Sequence, residues 1–365
     1  MARRLLGASG LSVCAFVALS APIAGQTTGD VFGGAIQRAP LVIPKPPKAP
    51  KAGWTPPKTA WGDPDISGNF TNKYEQGTPI ERPNGLEGRR VDDVRGQELE
   101  GLVRARQRIA EERAPFLAGD PTGRIRGNGA FSDRNEMGKG SRAWMIIDPA
   151  DGKIPPTTAE AQQRAAARVA ARTGRATSSF SNTGFESYLD FSLYDRCITR
   201  GLPGSMLPAI YGDSYQIVQG PGYVAIRYEM IHETRVIPLD SRPHIAKNLH
   251  LDMGDARGHW EGNSLVVETT NFRDRTAYRQ SKQETLKLVE RFTRTAPDVV
   301  EWTVTVDDSS TWVRPWTFSL PLTINDNEPV MEYACHEGNY AVSNILSGER
   351  AVEKEEKAAA EPAKK

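Results

Sequence analysis

From Val299 to Asp307 apolar and polar residues alternate without a slip. Val300, Trp302, Val304 and Val306 fall on one side of an extended chain; Glu301, Thr303, Thr305 and Asp307 fall on the other. A period of two puts one set in a core and the other in water, the mark of a half-buried strand. The same texture surrounds it. Tyr215–Gln219 reads as a strand, and Tyr223–Pro238 as a long one that must bend or bulge, because strands rarely exceed ten residues. His259 to Thr269 reads as a hairpin turning at Gly262-Asn263. Leu286, Leu288 and Phe292 mark a further face, followed by a Thr295-Ala-Pro-Asp298 turn, then Thr311–Leu322 and Val330–Ala334. Strands at short, regular spacing joined by turns predict a mainly β protein: an antiparallel β-barrel of lipocalin-like type, or a sandwich.

The chain opens with Met1-Ala-Arg-Arg and an apolar run from Leu5 to about Ala24 that contains Gly7, Ser9, Gly10 and Ser12. Two arginines before a run of this kind predict a signal peptide over residues 1–25, cleaved between Ser20 and Gln26, and Cys14 leaves with it. Residues 26–60 are Pro- and Lys-rich, a composition that favours extended linkers. Residues 61–200 are expected to form an N-terminal arm that wraps the core. Within it Trp61, Ile66 and Phe70 are anchors among turn residues, and Trp144–Asp148 is a short strand. Helices are predicted over Val91–Arg113 and Thr158–Arg172, the second capped by Thr157 or Thr158, with residues 114–142 between them as loop. The barrel is assigned to residues 201–348. The Ala/Glu/Lys/Pro stretch 349–365 is read as a disordered tail.

Once Cys14 is removed, Cys197 and Cys335 remain. Two cysteines in an exported chain are expected to pair, and no Cys-x-x-Cys spacing favours a metal or redox role. By the loop-entropy argument a ring of this length stabilises by about 4–5 kcal/mol at most. Forty-six basic residues against 45 acidic ones leave a net charge of +1 with no basic stripe, so nucleic acid is not an expected partner. No segment after the leader is apolar enough for a stable membrane span.

Familiar catalytic patterns are missing. Gly204-Ser-Met-Leu207 lacks the second glycine of a nucleophile elbow, and neither His232-Glu233 nor His336-Glu337 is followed by a second histidine at zinc-protease spacing. The unusual feature is charge inside apolar strands. In Arg227-Tyr-Glu-Met-Ile-His-Glu-Thr-Arg235, an unbroken strand puts Arg227, Glu229, Glu233 and Arg235 on one face, and Tyr228, Met230 and His232 on the other. Charges facing a barrel interior are costly unless paired or used. The candidate site is therefore Glu229 as acid or base, His232 or His336 as its partner with Glu337 beside it, and Arg235 as anion holder. The competing reading is a charge ladder on a solvated strand face. Tyr228, Trp260, Trp302, Trp312 and Trp316 are candidate ligand-binding aromatics, or simply core. No metal site is expected, and no cofactor is indicated.

Several phrases resemble a family of exported bacterial proteins. They are Trp61-Gly-Asp-Pro-Asp-Ile-Ser-Gly-Asn-Phe70, Thr78-Pro-Ile-Glu-Arg-Pro83, Ile147-Asp-Pro-Ala-Asp-Gly-Lys-Ile-Pro-Pro156, Tyr228-Glu-Met-Ile-His232, Arg235-Val-Ile-Pro-Leu-Asp240, His259-Trp-Glu-Gly262, Leu265-Val-Val-Glu-Thr-Thr-Asn-Phe272 and Glu332-Tyr-Ala-Cys-His-Glu-Gly-Asn-Tyr340. The resemblance spans about residues 60 to 350. It implies export to the periplasm or beyond and one continuous module, and it assigns no catalytic residue. The function expected is binding of a small, partly apolar molecule, with acid–base chemistry on it such as hydration, elimination or isomerisation. The rivals are a non-catalytic ligand carrier and an envelope interaction module.

Overall fold

In the computed structural model, residues 54–118, 140–170, 185–209 and 211–360 are described. The expected leader, Cys14 and the linker up to residue 53 lie outside them, as does most of the loop expected over 114–142. The Val299–Asp307 alternation is realised as β9, with Val300, Trp302, Val304 and Val306 fully buried and the intervening side chains facing outward. The other strands are β1 (Gly68–Thr71), β2 (Ile146–Asp148), β3 (Ser214–Gly220), β4 (Tyr223–Tyr228), β5 (Thr234–Pro238), β6 (Asp255–Glu261), β7 (Ser264–Thr270), β8 (Lys287–Ala296) and β10 (Trp316–Ile324). The helices are α1 (Gly96–Ala118), α2 (Ala159–Ala170) and α3 (Ala341–Ala360). Val330–Ala334, expected to be a strand, has no ladder partner and runs as irregular chain.

Nine strands form one antiparallel sheet in the order β5-β4-β3-β1-β10-β9-β8-β7-β6, and β2 adds to β10 on the side. The sheet curls until its two edges, β5 and β6, meet without a hydrogen-bonded ladder. This is a nearly closed barrel. Because every neighbour is antiparallel and the strand number is odd, β5 and β6 run in the same direction. Such a pair needs a long crossover, here residues 239–254. Gly258 of β6 sits at the seam: a Cβ there would lie 2.7 Å from Leu239 Cδ2 and 2.8 Å from Ile237 Cγ2. Glycine lets the two edges touch.

Residues 201–348 do not build the barrel alone. Phe70 of β1 pairs with Tyr215 of β3 and with Ile324 of β10, so the N-terminal arm supplies a strand. The arm also covers the outer face of β9 and β10: Ser319 donates its N–H to Met145 O, and Arg142 reaches Glu301 at 2.6 Å. Thr158 caps α2 by accepting the Ala161 N–H at 3.1 Å. The supposed tail corrects likewise, since residues 349–360 are the second half of α3. Ala, Glu and Lys are strong helix formers. Val342 and Leu346 anchor the helix on Phe185 and Phe191, and Arg350 donates to Phe185 O.

The expected long strand over Tyr223–Pro238 is two strands. A tight turn at Met230–His232 divides them, with Ile231 at φ 60° and His232 at φ 46°. The turn resets the side-chain parity. Arg227 now pairs with Thr234 on the outside, and Arg235 pairs with Ile226 on the inside.

Candidate functional site

The barrel interior is filled by side chains. Trp302 meets Phe318 edge-on at 5.6 Å and stacks with Phe292 at 6.5 Å, while Trp316 lies 5.8 Å from Trp312 and 5.9 Å from Phe318. Trp302, Trp312 and Trp316 are therefore core, and Trp260 is half-buried against the same core.

One charged pair lies among these rings. Arg235 is 4% exposed and Glu290 of β8 is 0% exposed. Two bonds join them, Nη1 to Oε2 at 2.5 Å and Nη2 to Oε1 at 3.1 Å. Trp302 Nε1 donates to the same Oε1 at 3.1 Å. Burial pulls the Arg235 guanidinium toward neutrality, but Glu290 outweighs it and holds the value above the ordinary one. Tyr228 Oη is fully buried and feels the Arg235 charge, yet burial dominates and pushes its ionisation upward. A carboxylate fixed by three charge-assisted or neutral bonds is a structural element, closed to substrate. Arg235 thus holds Glu290 rather than a ligand. The sequence carried a signal for Glu290, which falls in phase with Leu288 and Phe292 on β8.

The other expected site residues do not join Arg235. Glu229 is half-buried at the barrel rim, where Oε2 accepts the Ser214 N–H at 3.2 Å. His232 is exposed, with Nδ1 2.9 Å from Tyr333 O. His336 and Glu337 follow the disulfide and are exposed. Parity explains part of the separation: the turn at Ile231 leaves Arg227 outside and sends Arg235 inward, although an unbroken strand would align the two on one face.

Convergence occurs instead at the rim beside that turn. Cys197 and Cys335 form the expected disulfide, with Cα atoms 5.7 Å apart. It pins the loop before β3 to the chain after β10, and so sets three tyrosines in a row. Tyr194 Oη lies 3.1 Å from Tyr211 Oη, and Tyr211 Oη lies 3.5 Å from Tyr333 Oη. Tyr194 also donates to Met230 Sδ at 3.4 Å. The Arg200 guanidinium sits over the Tyr194 ring at 5.6 Å, and its Nη1 is buried with no hydrogen-bond partner among the described residues.

Glu233 borders the same group. Its Oε2 accepts Thr199 Oγ1 at 2.8 Å and the Arg200 N–H at 3.4 Å. Burial pushes its carboxyl above the ordinary value; the Thr199 and Arg200 bonds oppose this, and the Asp252 charge adds to it. Burial, then Tyr211, raises Tyr194, and burial first among causes pushes Tyr333 up to about 12. All three backbone positions that frame this cluster have left-handed geometry: Cys197 at φ 56°, Ile231 at φ 60° and His232 at φ 46°. For a β-branched residue such as Ile231 that is strained, and strain of this kind gathers at functional sites.

No family model matches this sequence, and no curated protein or solved structure matches it either. The site is therefore read from its own chemistry. Among the described residues no group of three or more His, Cys, Asp or Glu side chains is arranged to hold a metal ion, and no helix is long and apolar enough to cross a membrane. What the rim offers is a half-buried carboxyl that burial shifts upward, a row of three phenols in contact with one another, and the Arg200 guanidinium over the Tyr194 ring. That set is suited to general acid–base work on a bound molecule. Sequence periodicity missed the tyrosines because they stand in loops, where no alternation marks them. Cys335 was the one pointer to the place.

Proposed function

We propose that this is an exported protein that binds a small, partly apolar molecule at the barrel rim and performs acid–base chemistry on it. Glu233 is the acid or base, and the Tyr194–Tyr211–Tyr333 row orients the ligand. The observation that carries the reading is the upward-shifted Glu233 carboxyl, bonded by Thr199 and by the Arg200 backbone N–H and following the left-handed Ile231 and His232. The disulfide supports an oxidising compartment, in keeping with the leader-like N-terminus. Because side chains fill the interior, the reading puts the binding site at the rim and not among the core tryptophans.

An interaction module is the second reading. Its support is an apolar row on the outer face, where Val218, Ala225 and Val236 pair in register across β3, β4 and β5, with Val218 and Val236 exposed.

The test uses full-length oxidised protein with ¹³C-labelled tyrosine and a panel of small ring-bearing ketones in D₂O. Binding should shift the rim tyrosine signals, and deuterium should enter the carbon beside the carbonyl. Glu233→Gln should keep the binding and stop the exchange. Exchange at the wild-type rate in Glu233→Gln, or binding that leaves all rim tyrosines unmoved, overturns the proposal.

A further inference from the structure

Where β5 meets β6 the barrel has no backbone ladder, so side chains and the crossover of residues 239–254 must hold the seam. The crossover turns back beside β6. Pro243 O accepts from Arg257 Nε at 3.1 Å, and the Ile245 N–H donates to Asp255 Oδ2 at 3.1 Å. Further on, Asn271 Nδ2 donates to Ala246 O and to Leu249 O. None of these bonds needs a titrating group on the crossover.

His244 is different. Its Nδ1 lies 2.7 Å from Asp255 Oδ2 on β6, and its Nε2 lies 3.5 Å from Glu268 Oε1 on β7. A carboxylate oxygen thus faces each ring nitrogen. Neutral imidazole has one N–H and one lone pair, so it serves one of these oxygens and turns a lone pair on the other. Imidazolium donates to both. The remaining oxygen of each carboxylate is taken by a cation that does not titrate in the histidine range. Arg257 Nη1 lies 2.6 Å from Asp255 Oδ1, and Lys287 Nζ of β8 lies 3.7 Å from Glu268 Oε2. On the crossover itself Arg242 is bound to Asp240, and Lys247 is exposed. The two carboxylates are therefore held in place from behind, and each presents a free oxygen to the ring between them.

We infer that His244 is a pH-sensitive latch on the barrel seam: as imidazolium it ties the crossover to β6 and β7 together, and on losing its proton it releases Glu268. The sign follows from the donor count. The charged ring has two partners and the neutral ring has one, so the latch is tight in mild acid and slack above neutrality. Asp255 keeps the Ile245 N–H in both states, so release loosens the crossover without unfolding it.

Nitrogen-15 NMR of the full oxidised chain with labelled histidine reads the ring directly. Near pH 5.5 both nitrogens of His244 should carry protons; near pH 8 only Nδ1, which faces Asp255, should keep one. Exchange of the Ile245 amide, corrected for the intrinsic effect of pH, should be about two- to fivefold faster near pH 8, the range of a partly exposed ion pair. His244→Gln offers Asp255 the same donor at every pH, so its Ile245 exchange should lose that dependence. Glu268→Gln, at a side chain 45% exposed, leaves the core untouched and keeps the test decisive should His244→Gln fail to fold; it should shrink the dependence. Ile245 exchange that ignores pH in the parent, or that changes as much in either variant as in the parent, overturns the latch. A His244 ring with a single protonated nitrogen near pH 5.5 overturns it as well.

Discussion

The Arg235–Glu290 pair makes an asymmetric prediction. Glu290→Leu leaves a guanidinium at a 4% exposed position with no counter-charge, and leaves Trp302 Nε1 without its acceptor. Stranding one member of a buried pair costs about 3–5 kcal/mol, and an orphaned N–H adds about 1–3. Arginine cannot escape by losing its proton, so this cost should be the same at every pH. Arg235→Met strands a carboxyl group instead, and without a counter-charge a buried carboxyl is tolerated better neutral than ionised, so the loss should be smaller near pH 4 than near pH 7. Near neutral pH Arg235→Met should melt about 6–20 °C below the parent and Glu290→Leu about 8–32 °C below it, at about 2–4 °C per kcal/mol for a domain of this size. The double variant Arg235→Met/Glu290→Leu should recover most of the loss, because two apolar side chains need no partner. Urea denaturation followed by circular dichroism, at about pH 4 and pH 7, gives all four corners of the cycle. The reasoning is refuted if the single losses simply add in the double variant, or if Arg235→Met and Glu290→Leu respond alike to pH.

Other consequences are as direct. Gly258→Val should destabilise by about 1–3 kcal/mol, and Gly258→Ala by less, because the added atoms meet Ile237 and Leu239 across the seam; equal melting of both with the parent would contradict the closed edge. Glu233 and Asp308 should have opposite pH signatures. Burial pushes Glu233 up, so its contribution is complete below the ordinary carboxyl value and is lost as pH rises; Glu233→Gln should flatten that decline in a thermal-melt profile. Burial also works on Asp308, but bonds from Thr311, Thr285 and the Lys282 N–H outweigh it and hold the carboxyl low. Stability from Asp308 is therefore complete above the unfolded value and lost as pH falls, and Asp308→Asn should cost more near pH 7 than near pH 2. Reducing Cys197–Cys335 should lower stability by up to about 4–5 kcal/mol and abolish any ligand shift at Tyr333, whereas binding that survives reduction would show that the staple does not assemble the rim.

The barrel was legible because its rule is local. Alternation at β9, the Gly262 turn between β6 and β7 and the Cys197–Cys335 pair each announce themselves within a few residues or by simple pairing. The split of Tyr223–Pro238 was not, because nothing in Met230-Ile-His232 is a turn former; a β-branched residue holds left-handed geometry there only because the surroundings require it. That one turn inverted the facing of β5 relative to β4, so Arg235 parted from Arg227 and Glu229, with which an unbroken strand would align it, and the expected site dissolved. The rim was hidden for a different reason. Tyr194, Tyr211 and Tyr333 come from separated loops, and only the disulfide and the closed sheet bring them together.

The four residues of β1 join two otherwise separate meanders, β3 to β5 and β6 to β10. Of all the strands it leaves the ribosome first, yet one of its two neighbours, β10, is synthesised nearly last: Phe70 waits for Ile324. Each meander can zip locally as it emerges, but the halves have no shared edge until β1 is seated between them. The earliest stave is thus the last to be set, and the slow, non-local step of folding falls on a segment too short to hold its place alone.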